Sequence, residues 1–225
     1  MIASMPLQNR VTPTGEIVAD PRRGLMLGNR GCLHGQGRSL GVSRWRSKLW
    51  ICCVLEWKGV RRDPMPPGRW TALFFLDEAT ALAAGHRPCG YCRRGDYLAF
   101  ATAWQEARFL PARPHAVEMD AQLHYERVDR SRRQRTHMRA AGELPDGVMV
   151  LHGSDPALLV GGRPRVWSFD GYGVPQLPPA RAGPADAMCE VLTPPSIVAA
   201  IAAGYRPMVH PSALTADSTT LRCHP

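Results

Sequence analysis

The chain of 225 residues has no long apolar segment, and this absence excludes a membrane-spanning helix. Its apolar runs stop well short of the roughly 20 residues that cross a bilayer. The first residues, MIASMPLQNRVTP, also lack an apolar core followed by a small-residue cleavage position, so we expect no secretion signal and a cytoplasmic location. Cysteines in that compartment are usually thiols or metal ligands rather than disulfides.

Motifs that mark several common enzyme classes are also missing. The sequence has no glycine-rich pattern of the Walker or dinucleotide-binding type, and no Gly-x-Ser-x-Gly elbow. A nucleotide-dependent or serine-hydrolase reaction therefore has no motif to support it. The chemistry must be sought in the charge pattern and the cysteines.

Lysine is scarce, and arginine carries almost all of the positive charge. The chain has 26 arginines and two lysines, with a net charge of +9. Residues 1–150 hold 23 basic and 14 acidic side chains, whereas residues 151–225 hold five of each. A planar guanidinium binds two phosphate oxygens at once, so the basic part predicts an anionic partner, DNA or another nucleic acid. A compositional bias toward arginine explains the same excess, and this alternative stays open.

Hydrophobic patterning and turn residues divide the chain into three predicted parts. Residues 8–110 contain short strands and an alanine-rich helix, and form the first domain. Residues 111–145 form a basic helical linker, with one helix over residues 120–141. Residues 146–213 form a β-rich C-terminal subdomain. The predicted fold class is α+β, with a small mixed sheet and helices around a zinc knuckle, plus a β-rich C-terminal part ending in a helix.

The sequence Cys89-Gly-Tyr-Cys92 places two thiols at the spacing of half a zinc site. Tetrahedral Zn²⁺ takes four such ligands. Successive residues of a strand point to opposite faces, so only one of Cys52 and Cys53 in the apolar strand LWICCVL can reach the metal. We choose Cys53, and a glycine-rich loop supplies either Cys32 or His34. The predicted metal ligands are Cys32, Cys53, Cys89 and Cys92. A redox pair and inert thiols are the alternatives.

The segment FFLDEATALAAGHRPCGYCRR, residues 74–94, resembles the zinc-binding N-terminal domain of the Ada DNA-repair proteins. That domain has a Phe-rich strand, an alanine-rich helix and the string Ala-Ala-Gly-Phe-Arg-Pro-Cys-x-x-Cys. Gly85, Arg87, Pro88, Cys89 and Cys92 match the string in order. The family's first ligand pair is Cys-x-x-x-Cys, whereas this chain has the adjacent pair Cys52-Cys53.

The resemblance implies a zinc site that docks on DNA and a role in repair of alkylated DNA. In the family, a zinc-bound thiolate takes the methyl group from a methylated backbone phosphate, and Cys53 is the corresponding candidate here. Phosphate contacts are expected from arginines near the knuckle and in the preceding loops, namely Arg30, Arg38, Arg61, Arg62, Arg87, Arg93 and Arg94. The alternative is an uncharacterised enzyme or an interaction module in which the zinc is purely structural.

Overall fold

The structure is a computed structural model that describes residues 5–61, 63–173, 188–214 and 222–223. The helices are α1 (Glu78–Ala83), α2 (Arg94–Ala107), α3 (Ala116–Arg127) and α4 (Pro195–Ala202). The strands are β1 (Gln8–Val11), β2 (Ile17–Ala19), β3 (Met26–Asn29), β4 (Ile51–Cys53), β5 (Glu56–Trp57), β6 (Val60–Arg61), β7 (Leu73–Phe75), β8 (Arg87–Pro88), β9 (His137–Ala140), β10 (Met149–His152), β11 (Asp155–Val160), β12 (Arg163–Ser168), β13 (Gly171–Gly173), β14 (Met188–Val191), β15 (Met208–Val209) and β16 (Arg222–Cys223).

Two six-stranded sheets form the framework. The first is mixed and has the order β2-β1-β7-β3-β4-β8, and the second is antiparallel with the order β13-β12-β11-β10-β14-β9. In the first sheet β1 pairs in parallel with β7, and β4 pairs in parallel with β8. The predicted α+β fold class is confirmed, including the mixed sheet and the β-rich C-terminal part with its helix.

Helix α1 is buried on all sides because it lies between the two sheets. Ala81 packs with residues of the first sheet, among them Phe75. Ala79 packs with residues of the second sheet, among them Met149. On a third side of the helix, Leu82 packs in a core cluster that includes residues of α2, α3 and α4. Small side chains are therefore needed around this helix, which explains its alanine-rich sequence.

The hydrophobic core crosses the predicted domain boundaries. Phe100 and Trp104 of α2, which belong to the predicted first domain, pack in one cluster with Met119 of α3 and Ile197 of α4. The same cluster includes Val150 of the second sheet. The three predicted parts thus share side-chain packing.

The predicted helix over residues 120–141 is wrong in its extent. Helix α3 ends at Arg127, and the chain then makes a turn in which Asp129 accepts a hydrogen bond from the backbone N–H of Arg133. Backbone pairing between Val128 and Gln134 closes this turn, and β9 follows. The arginine-rich residues after 127 therefore lie on a loop.

Asp77 caps α1 and also fastens the C-terminal chain to it. One carboxylate oxygen accepts hydrogen bonds from the backbone N–H and hydroxyl of Thr80, at 2.9 and 2.8 Å. The other accepts from the hydroxyl of Tyr172 at 2.8 Å and from the backbone N–H of His210 at 2.9 Å. Asp77 has no exposed surface, and burial raises the pKa of its carboxyl group.

Glu78, the next residue, is equally buried and binds three further groups. Its carboxylate accepts from the Tyr205 hydroxyl at 2.5 Å, from the backbone N–H of Met208 at 2.9 Å and from the Arg93 guanidinium at 2.8 Å. Two adjacent carboxylates thus bond to groups that come from residues 93, 172, 205, 208 and 210. Within the described residues, no helix has the length and apolar character needed to cross a membrane.

Replacing Asp77 by Ala is expected to lower the free energy of unfolding by about 3 kcal/mol or more, because four buried donors lose their acceptor. Urea denaturation followed by circular dichroism measures the change. Asp63→Ala is the control, since the Asp63 carboxylate lies at the surface in an ion pair with Arg38. Its expected cost is below about 1 kcal/mol. Equal losses in the two variants would contradict the role given to Asp77.

Candidate metal centre

The parallel pairing of β4 with β8 brings Cys53 beside the knuckle. The backbone N–H of Cys89 donates to the carbonyl of Cys52 at 2.9 Å, which continues this pairing by one residue. Cys53 points to the face of the sheet that Cys89 occupies, and the two pack with Leu27. Cys52 points to the opposite face and has no exposed surface. The alternation of side chains along a strand thus separates the two neighbouring cysteines.

The sulfurs of Cys53, Cys89 and Cys92 all lie within 4.8 Å of one another. Cys53 and Cys89 are buried, and Cys92 is partly exposed. The knuckle itself is held by the backbone N–H of Arg93, which donates to the Cys89 carbonyl at 3.1 Å. A three-thiol group of this size can hold one metal ion.

Two local features place the knuckle, residues 89–92, next to β4. Gly85 follows α1 with φ +81°, a left-handed conformation that lets the chain leave the helix and return toward the sheet. Arg93, directly after Cys92, forms ion pairs with the carboxylates of Glu78 at 2.8 Å and Asp96 at 3.0 Å. The end of the knuckle is therefore tied to the base of α1.

The three thiols share protons unequally. Hydrogen bonds from the Cys53 and Cys92 thiols hold the pKa of Cys89 well below its usual range. The same interaction raises the pKa of Cys53, because its proton is held between the two sulfurs. The backbone N–H of Tyr91 also donates to the Cys89 sulfur, at 3.4 Å. A metal cation bound by the three sulfurs would displace the protons that they share.

The structure does not bring Cys32 or His34 into this group. The Cys32 sulfur lies 3.8 Å from the carbonyl of His34 in their own loop. Both ring nitrogens of His34 have partners, the Thr71 hydroxyl at 2.6 Å and the Pro66 carbonyl at 3.0 Å. The fourth ligand predicted from the glycine-rich loop is thus corrected: of the four predicted ligands, three come together. Among the described residues, no other His, Cys, Asp or Glu joins the three sulfurs.

A cavity of about 180 Å³ adjoins the three cysteines. Its walls include the aromatic side chains of Trp57, Trp70 and Tyr91, and Trp57 and Tyr91 contact each other edge to face with ring centroids 5.8 Å apart. A protein site with three ligands and an adjoining space leaves one coordination position for a bound molecule. The sequence patterns did not identify these aromatic residues as part of the site.

The donor set fits zinc in its chemistry. Three thiolates are soft ligands, which Zn²⁺ binds well and which hard cations such as Mg²⁺ do not prefer. The residues that would hold the ion are Cys53, Cys89 and Cys92. The identity of the metal is a prediction from this chemistry.

The predicted phosphate-binding arginines fall into different environments. Arg87 is buried and makes a two-pronged ion pair with Asp120, at 2.9 and 2.8 Å. Arg93 is buried against Glu78 and Asp96. The prediction for these two is corrected, because each guanidinium is enclosed and already satisfied by a carboxylate. Arg94 and Arg38 are exposed, with Arg38 paired to Asp63.

Three of the predicted arginines remain. Arg30 is buried and lines a second cavity between the two sheets. The backbone of Arg61 lies in β6, in a hairpin whose strand β5 carries the cavity residue Trp57. Arg62 lies outside the described residues.

Comparisons of the chain with protein-family models, with curated proteins and with solved structures found no match.

Serine substitutions are expected to distinguish the cysteines that bind the metal from those that do not. The wild-type chain is expected to bind one zinc ion, and Cys53→Ser, Cys89→Ser and Cys92→Ser are expected to lose it, because each removes one of three sulfur ligands. Cys52→Ser and Cys32→Ser keep it, since their side chains lie outside the cluster. Metal analysis of each purified protein by mass spectrometry gives the stoichiometry. Loss of zinc from Cys32→Ser, or its retention in Cys89→Ser, would contradict the assignment.

Proposed function

We propose that this chain is a zinc-dependent nucleic-acid-binding protein whose zinc is held by Cys53, Cys89 and Cys92. The observation that carries the proposal is the group of three sulfurs beside a cavity, with no fourth protein ligand among the described residues. A purely structural zinc site is normally closed by four protein ligands. Three ligands and an adjoining cavity favour a site that takes part in binding or chemistry.

Positive charge beside the cluster supports an anionic partner. Arg94 is exposed two residues after Cys92, and Lys58 is exposed at the hairpin turn next to Trp57. The carboxylates of Glu78 and Asp96 are already bound to Arg93, directly after Cys92. Phosphate groups of a nucleic acid would complement the remaining cations, and Trp57 and Tyr91 offer aromatic surface near them.

The resemblance of residues 74–94 to the Ada domain suggests repair of alkylated DNA as the finer function. The Cys53 sulfur would attack the methyl carbon of a methylated backbone phosphate, forming a sulfur–carbon bond while the carbon–oxygen bond breaks and the phosphodiester leaves as an anion. A bound zinc ion would supply the charge that keeps the three sulfurs deprotonated. Cys53 lines the cavity and is 9% exposed, so access to this sulfur is through the cavity.

DNA binding should weaken steeply as salt increases, and Arg94→Gln should reduce the slope of log affinity against log salt by about 1, which corresponds to one lost phosphate contact. Fluorescence anisotropy with a labelled duplex over a salt series measures both quantities. Arg163→Gln on β12 is the control with the same change of charge, and its slope should equal that of the wild type. Affinity that is independent of salt would favour the alternative, an enzyme or interaction module with a structural zinc.

The methyl-acceptor step has its own readout. After incubation with DNA that carries methylated backbone phosphates, peptide mass spectrometry should find one methyl group on Cys53, and none on Cys52 of the same chain. Methylation of the wild type at neither residue, in protein that has been shown to hold zinc and to bind the DNA, would exclude this step and leave the binding function standing.

A further inference from the structure

A second cavity lies between the two sheets and shares no residue with the metal centre. Its volume is about 700 Å³, within the range of small-molecule binding sites. The first sheet contributes Ile17 of β2, and the second contributes Leu151 of β10. The loop after α3 closes another side with Arg132 and Gln134. This cavity shares no lining residue with the cavity beside the cysteines.

The walls of this cavity are strongly basic. Five arginines and one glutamate line it: Arg30, Arg44, Arg127, Arg132, Arg133 and Glu16. Glu16 is exposed, as are Arg44, Arg132 and Arg133, whereas Arg30 and Arg127 are each only 2% exposed. The positive charge therefore extends from the rim into the interior.

The two buried guanidiniums have incomplete sets of partners. Arg30 donates to the ring of His86 at 3.3 Å and to the Gly15 carbonyl at 3.1 Å, and its Nη2 has no hydrogen-bond partner. Arg127 donates to the carbonyls of Gly85 at 2.9 Å and Lys48 at 2.7 Å, and its Nε has none. In the described part of the chain, neither forms an ion pair with a carboxylate.

A buried cation without a counter-charge is costly. Burial lowers the pKa of Arg127 to about 9, and burial together with repulsion from Arg127 lowers the pKa of Arg30 to about 9. The buried Arg87 in the same core has instead a carboxylate partner, Asp120. An anion in the cavity would give Arg30 and Arg127 the negative counter-charge that Asp120 gives Arg87.

Two tryptophans contribute to the cavity: Trp50 contacts both buried guanidiniums, and Trp45 forms part of the wall. The guanidinium carbons of Arg30 and Arg127 lie 4.0 and 3.9 Å from the ring centroid of Trp50, which orients both groups. Trp45 is partly exposed in the cavity wall and offers a flat surface. Gln134 also lines the cavity, and its side-chain oxygen is buried without a hydrogen-bond donor.

We infer that the cavity between the sheets binds a phosphorylated small molecule with a planar ring, of the size and chemistry of a nucleoside monophosphate. The phosphate contacts Arg30 and Arg127, the arginines of the rim attract it, and the ring lies against Trp45. Guanidinium groups bind phosphate oxygens in pairs, and the volume accommodates one such molecule. This site is independent of the metal centre.

Isothermal titration of the full chain with AMP, adenosine and inorganic phosphate tests the inference. AMP is expected to bind at least about tenfold more tightly than adenosine, because charge-assisted hydrogen bonds from arginine are lost without the phosphate. It should also bind more tightly than phosphate alone, since the ring adds contacts. Binding of AMP should persist in Cys89→Ser, which separates this site from the metal centre.

Variants at the rim avoid the risk that loss of a buried arginine unfolds the protein. Arg132→Gln with Arg133→Gln should weaken AMP binding several-fold, whereas Arg130→Gln with Arg135→Gln, the same charge change on the same loop outside the cavity, should not. Arg30→Gln should weaken it at least about tenfold in protein with a cooperative thermal unfolding transition. No binding of AMP or phosphate at millimolar concentration, equal binding of adenosine and AMP, or equal effects of the two double variants would overturn the inference.

Discussion

Two adjacent buried carboxylates, those of Asp77 and Glu78, hold the C-terminal chain and the cysteine knuckle against the same short helix. Asp77 binds Tyr172 and the backbone of His210, and Glu78 binds Tyr205 and Arg93. Each carboxylate would be costly to bury alone, so the hydrogen bonds that satisfy it stabilise the fold. These bonds join α1 to the C-terminal chain and to Arg93, directly after the cysteine pair. The metal centre needs Arg93 to end the knuckle, and the basic cavity needs the second sheet as one wall.

Sequence reasoning succeeded where the signal was local. The alanine-rich helix with Asp77 as its cap and Gly85 as its stop could be predicted because capping and left-handed turns depend on the residues themselves. The alternation of side chains along a strand predicted that only one of Cys52 and Cys53 could join the cluster, but it did not decide which of the two. The fourth ligand failed because the position of the loop around Cys32 depends on Thr71 and Pro66, which bind His34 from distant sequence. Local patterns contain no information about such contacts.

The arginines also show that local sequence does not reveal contacts between distant residues. Arg87, Arg93 and Arg94 lie within eight residues, yet two are enclosed with carboxylates and one is exposed. Charge counted along the sequence could not separate them, because the partners Asp120 and Glu78 reach them only in the folded chain. Arg127 lay inside the predicted helix over residues 120–141, but α3 ends there and the side chain is buried against Trp50. The basic side chains thus fall into three groups: those in buried ion pairs, those lining the basic cavity, and those exposed near the metal centre.

The central claim is that the fold assembles three thiols, and not four, around one metal ion. X-ray absorption at the zinc edge of the purified protein counts the sulfur neighbours directly. We predict three sulfur atoms at about 2.3 Å and one lighter atom, oxygen or nitrogen, at about 2.0 Å. The lighter neighbour should change when a small thiol compound is added, because the fourth position faces a cavity. Four sulfur neighbours in the protein alone would contradict the account, since a fourth cysteine would then close the site.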